Sequence, residues 1–100
     1  MAAFSITRTA PDRLEAKGAM SFESANSALG AGLALLSQGE NCTIDLAQVT
    51  EADSAGLAVL VEWLAAARGC GAGIHYANIP AQILAVARIS DIDGLLTDGY

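Results

Sequence analysis

Residues 42–64, CTIDLAQVTEADSAGLAVLVEWL, constrain the fold more than any other part of this chain. Cys42, Ile44 and Leu46 alternate with polar residues, as in a short strand of residues 42–46; a polar loop of residues 47–52 follows. Asp53-Ser54-Ala55-Gly56-Leu57 then opens an amphipathic helix. The first N–H groups of a helix lack intrahelical partners and its dipole favours negative charge there, so an oxygen of Asp53 or Ser54 is first a capping group. The same geometry displays the Ser54 hydroxyl to a partner or a kinase. Along this helix Leu57, Leu60, Val61 and Leu64 form the core stripe, which turns Val59, Trp63 and Ala66 outward. Val59 and Trp63 are i, i+4 neighbours, and Trp is enriched in interface anchors, so together with the loop they form a candidate contact face. The alternative is that the third helix or the C-terminal segment covers Trp63.

The flanking segments supply the remaining layers. Phe4, Ile6 and Arg8 alternate with Ser5 and Thr7, Pro11-Asp12 marks a turn, and residues 13–17 return as the second strand of an edge hairpin. From Ser21, a candidate N-cap, the period becomes helical: Phe22, Ala25, Leu29, Leu33 and Leu36 share one stripe, with Gly39 as a stop. Gly30 and Gly32 weaken that helix by about 1 kcal/mol each relative to Ala. The helix after Ser54 ends near Gly69, residues 74–77 read as a strand, and Pro80 opens a helix over residues 81–89. An apolar segment with Ile92, Leu95 and Leu96 closes the chain. This order predicts an α/β domain spanning residues 1–100, one mixed sheet with helices mainly on one face.

Composition narrows the function. Hydrophobic residues make up 53% of the chain, yet many are Ala, and the longest apolar run, residues 56–67, contains Glu62 and is shorter than the ~20 residues of a membrane span. The N-terminal residues lack the basic and apolar regions of a secretory signal. A net charge of -6 with 5 Lys+Arg argues against nucleic acid and against docking to anionic lipid, and favours a protein partner with a basic face. Cys42, Cys70 and His75 lack metal-ligand spacing, and the two cysteines read as reduced thiols of a cytoplasmic protein. The glycines of residues 69–73 follow a helix and precede a strand, the reverse of a phosphate-binding loop. The titratable groups, Glu51 with Asp53, Asp91 with Asp93, and His75, make no acid/base set. Ser54 has no neighbouring base and no Gly-x-Ser-x-Gly elbow. No catalytic residue, metal or cofactor is therefore assigned.

Asp45-Leu46 at a strand end, the intervening loop and Asp53-Ser54-Ala55-Gly56-Leu57 before an apolar helix resemble the STAS domain family, over about residues 4–96. The resemblance implies a mixed four- to five-stranded sheet with about four helices mainly on one face. The family includes anti-sigma-factor antagonists, cytoplasmic domains of some anion transporters, and the small MlaB-type subunit of the Mla phospholipid-transport ABC system. The short stand-alone chain, and Ala55 where antagonists commonly carry a second Ser, make the Mla branch the closer resemblance. By that resemblance the chain is a non-enzymatic ABC transporter accessory subunit. It would bind the cytoplasmic ATPase, at the inner-membrane face, in phospholipid trafficking and outer-membrane lipid asymmetry, with ATP and Mg belonging to the partner. The alternative is an anti-sigma-factor antagonist regulated by a serine kinase that phosphorylates Ser54. In either branch the partner-binding residues are Thr50, Asp53, Ser54, Gly56, Val59 and Trp63.

Overall fold

The computed structural model describes residues 4–36, 41–89, 92, 94 and 96. Its elements are β1 (Ser5–Ala10), β2 (Arg13–Met20), α1 (Ala25–Leu36), β3 (Cys42–Ala52), α2 (Ser54–Gly69), β4 (Ile74–Ala77) and α3 (Ala81–Ile89). The four strands form one mixed sheet in the order β1-β2-β3-β4. Around Pro11-Asp12 the hairpin pairs β1 antiparallel to β2, Ile6 opposite Ala16 and Arg8 opposite Leu14. β2 with β3 and β3 with β4 are parallel. Both parallel steps run in the same direction across the sheet, so right-handed crossovers put α1 and α2 on one face. Three complete helices lie among the described residues, and Gly94 and Leu96 are helical as well, in keeping with the about four helices expected. Of the closing apolar segment, Ile92 is half-buried and Leu96 buried, while Leu95 lies outside the described residues, as does the expected stop at Gly39.

Two element boundaries differ from the sequence expectation. β3 continues to Ala52 instead of ending at Leu46, so the expected loop is largely strand. The cause is β2, which runs on to Met20 and pairs Lys17 with Gln48, Gly18 with Val49 and Met20 with Ala52. Register shifts after Glu15 and after Gly18 break the alternation of exposed and buried residues along this pair, which is why residues 47–52 read as loop. α1 starts at Ala25, four residues beyond Ser21. Residues 21–24 close a turn in which the Ser21 N–H donates to Ser24 Oγ (3.0 Å), while Ser24 Oγ donates to the Ala19 carbonyl (2.6 Å). The Ala28 N–H reaches the Ser24 carbonyl at 2.9 Å, so Ser24 stands at the cap position. Phe22 projects from the turn at 83% exposure instead of joining the core stripe.

The core lies between sheet and helices, with Leu14, Ile44, Leu46, Leu60, Leu64 and Ile83 among its buried side chains. Leu57, Leu60 and Leu64 of α2 are buried as expected, and Val61 is half-buried. Val59 and Trp63 are not outward: they are 4% and 0% exposed. α2 buries a second side against α1, where Gly32 leaves room for the indole; a Cβ at Gly32 would overlap it. The Trp63 Nε1–H donates to the Leu29 carbonyl at 3.3 Å, and the Phe4 ring lies 6.2 Å away, centroid to centroid, tilted by 43°. Thus Trp63 is covered, as the alternative to an outward face held, but α1 and Phe4 contribute to that cover in place of the third helix or terminal segment alone. Tyr76 of β4 sends its hydroxyl to the Leu60 carbonyl (2.7 Å), tying the sheet edge to α2.

Candidate interaction site at the helix entrances

β2 and β3 are parallel neighbours, and each is followed closely by a helix on the same face. Their C-terminal ends, Met20 and Ala52, lie opposite each other, so the entrances of α1 and α2 gather at one end of the sheet. Asp53 fastens this end. Its backbone is extended at φ -135° and ψ -167°, and Oδ1 accepts from the Ala55 N–H (2.9 Å) and the Gly56 N–H (3.4 Å). Oδ2 accepts from the Phe22 N–H at 3.1 Å, and the Asp53 N–H donates to the Met20 carbonyl at 3.4 Å. One carboxylate thus caps α2 and holds the turn before α1, a structural role added to the partner contact assigned to it.

With the cap supplied by Asp53, Ser54 is the first residue of α2 and is exposed. Its hydroxyl stands at the positive end of the helix, where an anion would be favoured. Thr50 and Glu51 are exposed on the last residues of β3 beside it. Gly56 is different: it is buried, and a Cβ there would lie 2.5 Å from the Met20 carbonyl oxygen and 3.2 Å from Met20 Cβ. Gly56, expected at a partner contact, instead lets the end of β2 approach the entrance of α2 closely. Thr50, Asp53 and Ser54 are each exposed near the entrance of α2, while Gly56 and Trp63 lie inside.

Sequence reasoning missed Phe22, placed on the core stripe because it fits the helical period. The signal that marks it is Ser24, a second candidate N-cap that would start the helix at Ala25 and leave Phe22 before it. Beside Phe22 a groove of about 340 Å³ lies between the N-terminal parts of the helices, lined by Ala25, Asn26 and Leu29 from α1 and by Ala55, Ala58, Val59 and Glu62 from α2. Val59 thus contributes to the lining of the groove, not to a protruding face. A smaller depression of about 240 Å³ adjoins it, lined by Ser21, Phe22, Glu23, Glu51 and Asp53.

The other titratable groups are dispersed. His75 is exposed on β4, opposite Thr43 of β3, and Asp91 and Asp93 lie outside the described residues. Asp45 Oδ1 accepts from Asn78 Nδ2 (3.0 Å) and the Ala47 N–H (2.9 Å), and Oδ2 pairs with Arg13 Nη2 (2.9 Å). The Asn78 hydrogen bond first, then those of Ala47 and Arg13, hold its carboxyl below the ordinary range. Cys42 and Cys70 are free thiols, and burial pushes Cys42 up, away from a reactive thiolate. Among the described residues no group of three or more His, Cys, Asp or Glu is placed to hold a metal ion, and no helix is long and apolar enough to cross a membrane.

Residues 5–97 match the family profile described as "Mlab, STAS domain". No curated protein sequence matches the chain. Among solved structures, a candidate anti-sigma factor antagonist from Thermotoga maritima superposes with a TM-score of 0.74 at 17% identity, covering 94% of this chain and 83% of that one. The unphosphorylated form of the anti-sigma factor antagonist SpoIIAA superposes with a TM-score of 0.65 at 10% identity, covering 87% and 83%. At these identities the likeness is one of fold.

Proposed function

This chain belongs to the MlaB-type STAS domain family, and from that membership we propose that it is a non-enzymatic subunit binding the cytoplasmic ATPase of an Mla-type phospholipid-transport ABC system. It would work in the cytoplasm, at the inner-membrane face through its partner, supporting the assembly or activity of the ATPase in maintaining outer-membrane lipid asymmetry. The observation that carries this proposal is the exposed Ser54 hydroxyl. Asp53 supplies the cap, so Ser54 is free to meet a partner at the helix entrance. The contact face then comprises Thr50, Ser54 and the rim of Asp53, joined by Phe22, and leaves out the buried Trp63. ATP and Mg would be held by the ATPase.

The same exposure makes Ser54 accessible to a serine kinase, and on this rests the alternative of an anti-sigma-factor antagonist. A phosphate, bringing about -1.5 to -2 charge, would suit the α2 N-terminus while opposing an interface built for a neutral hydroxyl. Co-purification of the full chain with an Mla-type ATPase and, separately, with an anti-sigma serine kinase tests both, using the unaltered protein and Ser54→Glu checked for folding by circular dichroism. ATPase binding that Ser54→Glu abolishes supports the transporter role. Kinase-dependent phosphate on Ser54 supports the alternative, and absence of ATPase binding by the unaltered chain overturns the first proposal.

A further inference from the structure

We propose that the groove between the N-terminal parts of α1 and α2 receives an amphipathic helix of the partner, apolar on the buried side and carrying Lys or Arg at its edges; this rests on the docking role proposed above. The groove lies between two helices, a position that suits helix-in-groove recognition. Its volume of about 340 Å³ lies near the lower end of the ~300 to 1,000 Å³ typical of binding sites. Phe22, Leu29 and Val59 give it apolar walls and floor, and Phe22 is 83% exposed. An aromatic ring so exposed at the mouth of an apolar groove is placed as an anchor.

Charge selects the occupant. The charged residues lining the groove and the adjoining depression are Glu62, Glu23, Glu51 and Asp53, all acidic. A second copy of this chain would bring the same acidic rim against itself, at a cost from like charges. An anionic lipid headgroup meets the same obstacle. A basic amphipathic helix satisfies both the apolar walls and the acidic rim.

The test is NMR titration of the 15N-labelled full chain with three synthetic peptides: leucines at i, i+3, i+4 and i+7 with lysines between, the glutamate counterpart, and a scrambled lysine peptide without the apolar stripe. The striped lysine peptide should shift the amides of Phe22, Ala25, Ala58 and Glu62, and the other two should not. Phe22→Ser and Glu62→Lys should each weaken it by about ten-fold or more, and Glu62→Lys should admit the glutamate peptide. The proposal is overturned if striped and scrambled peptides act alike, if the shifts spread over the whole surface, if either variant binds unchanged, or if the free chain sediments as a dimer with the groove covered. ATPase co-purification separates the two claims. Loss in Ser54→Glu with full retention in Phe22→Ser and Glu62→Lys would leave the ATPase partner standing and remove the groove from its interface.

Discussion

At Asp53 and Ser54, adjacent residues with similar capping ability divide two tasks. Either could have satisfied the first N–H groups of α2, and sequence chemistry left both open. The structure assigns the cap to Asp53 because its extended backbone precedes the helix and its second oxygen is needed by the Phe22 N–H. Asp53→Ala should therefore lower stability by ~0.5 to 2 kcal/mol, the range for losing a cap, and loosen the Phe22 turn. Ser54→Ala, exposed and outside that network, should stay within ~0.5 kcal/mol of the unaltered protein. Urea unfolding of both variants checks this. Equal losses would mean that Ser54 shares the cap, and the exposed hydroxyl would lose its claim to a partner.

Between elements, the governing contact is α1 on α2. The helical period of α2 was legible in the sequence, but a single amphipathic stripe presumes one buried side. α2 has two, one toward the sheet and one toward α1, and the second takes Val59 and Trp63. Gly32 looked like a weak point in α1 because its effect on helix propensity is local, whereas its benefit, room for the indole of Trp63, comes from a residue 31 positions later. Trp63→Ala should consequently act on folding before binding, costing ~3 to 5 kcal/mol. Gly32→Ala should also destabilise, since the indole must move to admit a methyl group. Thermal unfolding decides the matter, and a Trp63→Ala protein as stable as the original would contradict the buried position. Gly56→Val belongs to the same class: with the Met20 carbonyl 2.5 Å from the would-be Cβ, it should impair folding before it impairs any partner contact.

Over the whole molecule, the order of strands and helices was readable because each crossover follows from short strands alternating with helical periods. The continuation of β3 was not, because two register shifts hide its alternation behind polar residues. The same sheet carries groups that bound the pH range of stability. Asp45, bonded to Asn78, Ala47 and Arg13, has a carboxyl held below its ordinary range. Its contribution is present above the unfolded value of ~3.9 and is lost as pH falls through the lower folded value. On the alkaline side, burial raises Tyr76 well above 10.0 and raises Cys42 above 9.0. Both are neutral in the fold, so their contributions are present below the unfolded values and are lost as pH rises toward the folded ones. Urea unfolding between about pH 3 and about pH 11 should therefore show a plateau that falls at both ends. Asp45→Asn should flatten the acid limb and leave the alkaline limb unchanged. Tyr76→Phe should lower the plateau by ~0.5 to 1.5 kcal/mol through the lost bond to Leu60, and should soften only the alkaline limb, where Cys42 still titrates. An acid limb unaltered by Asp45→Asn would show that the carboxylate linking β2, β3 and the turn after β4 contributes nothing to holding the sheet together.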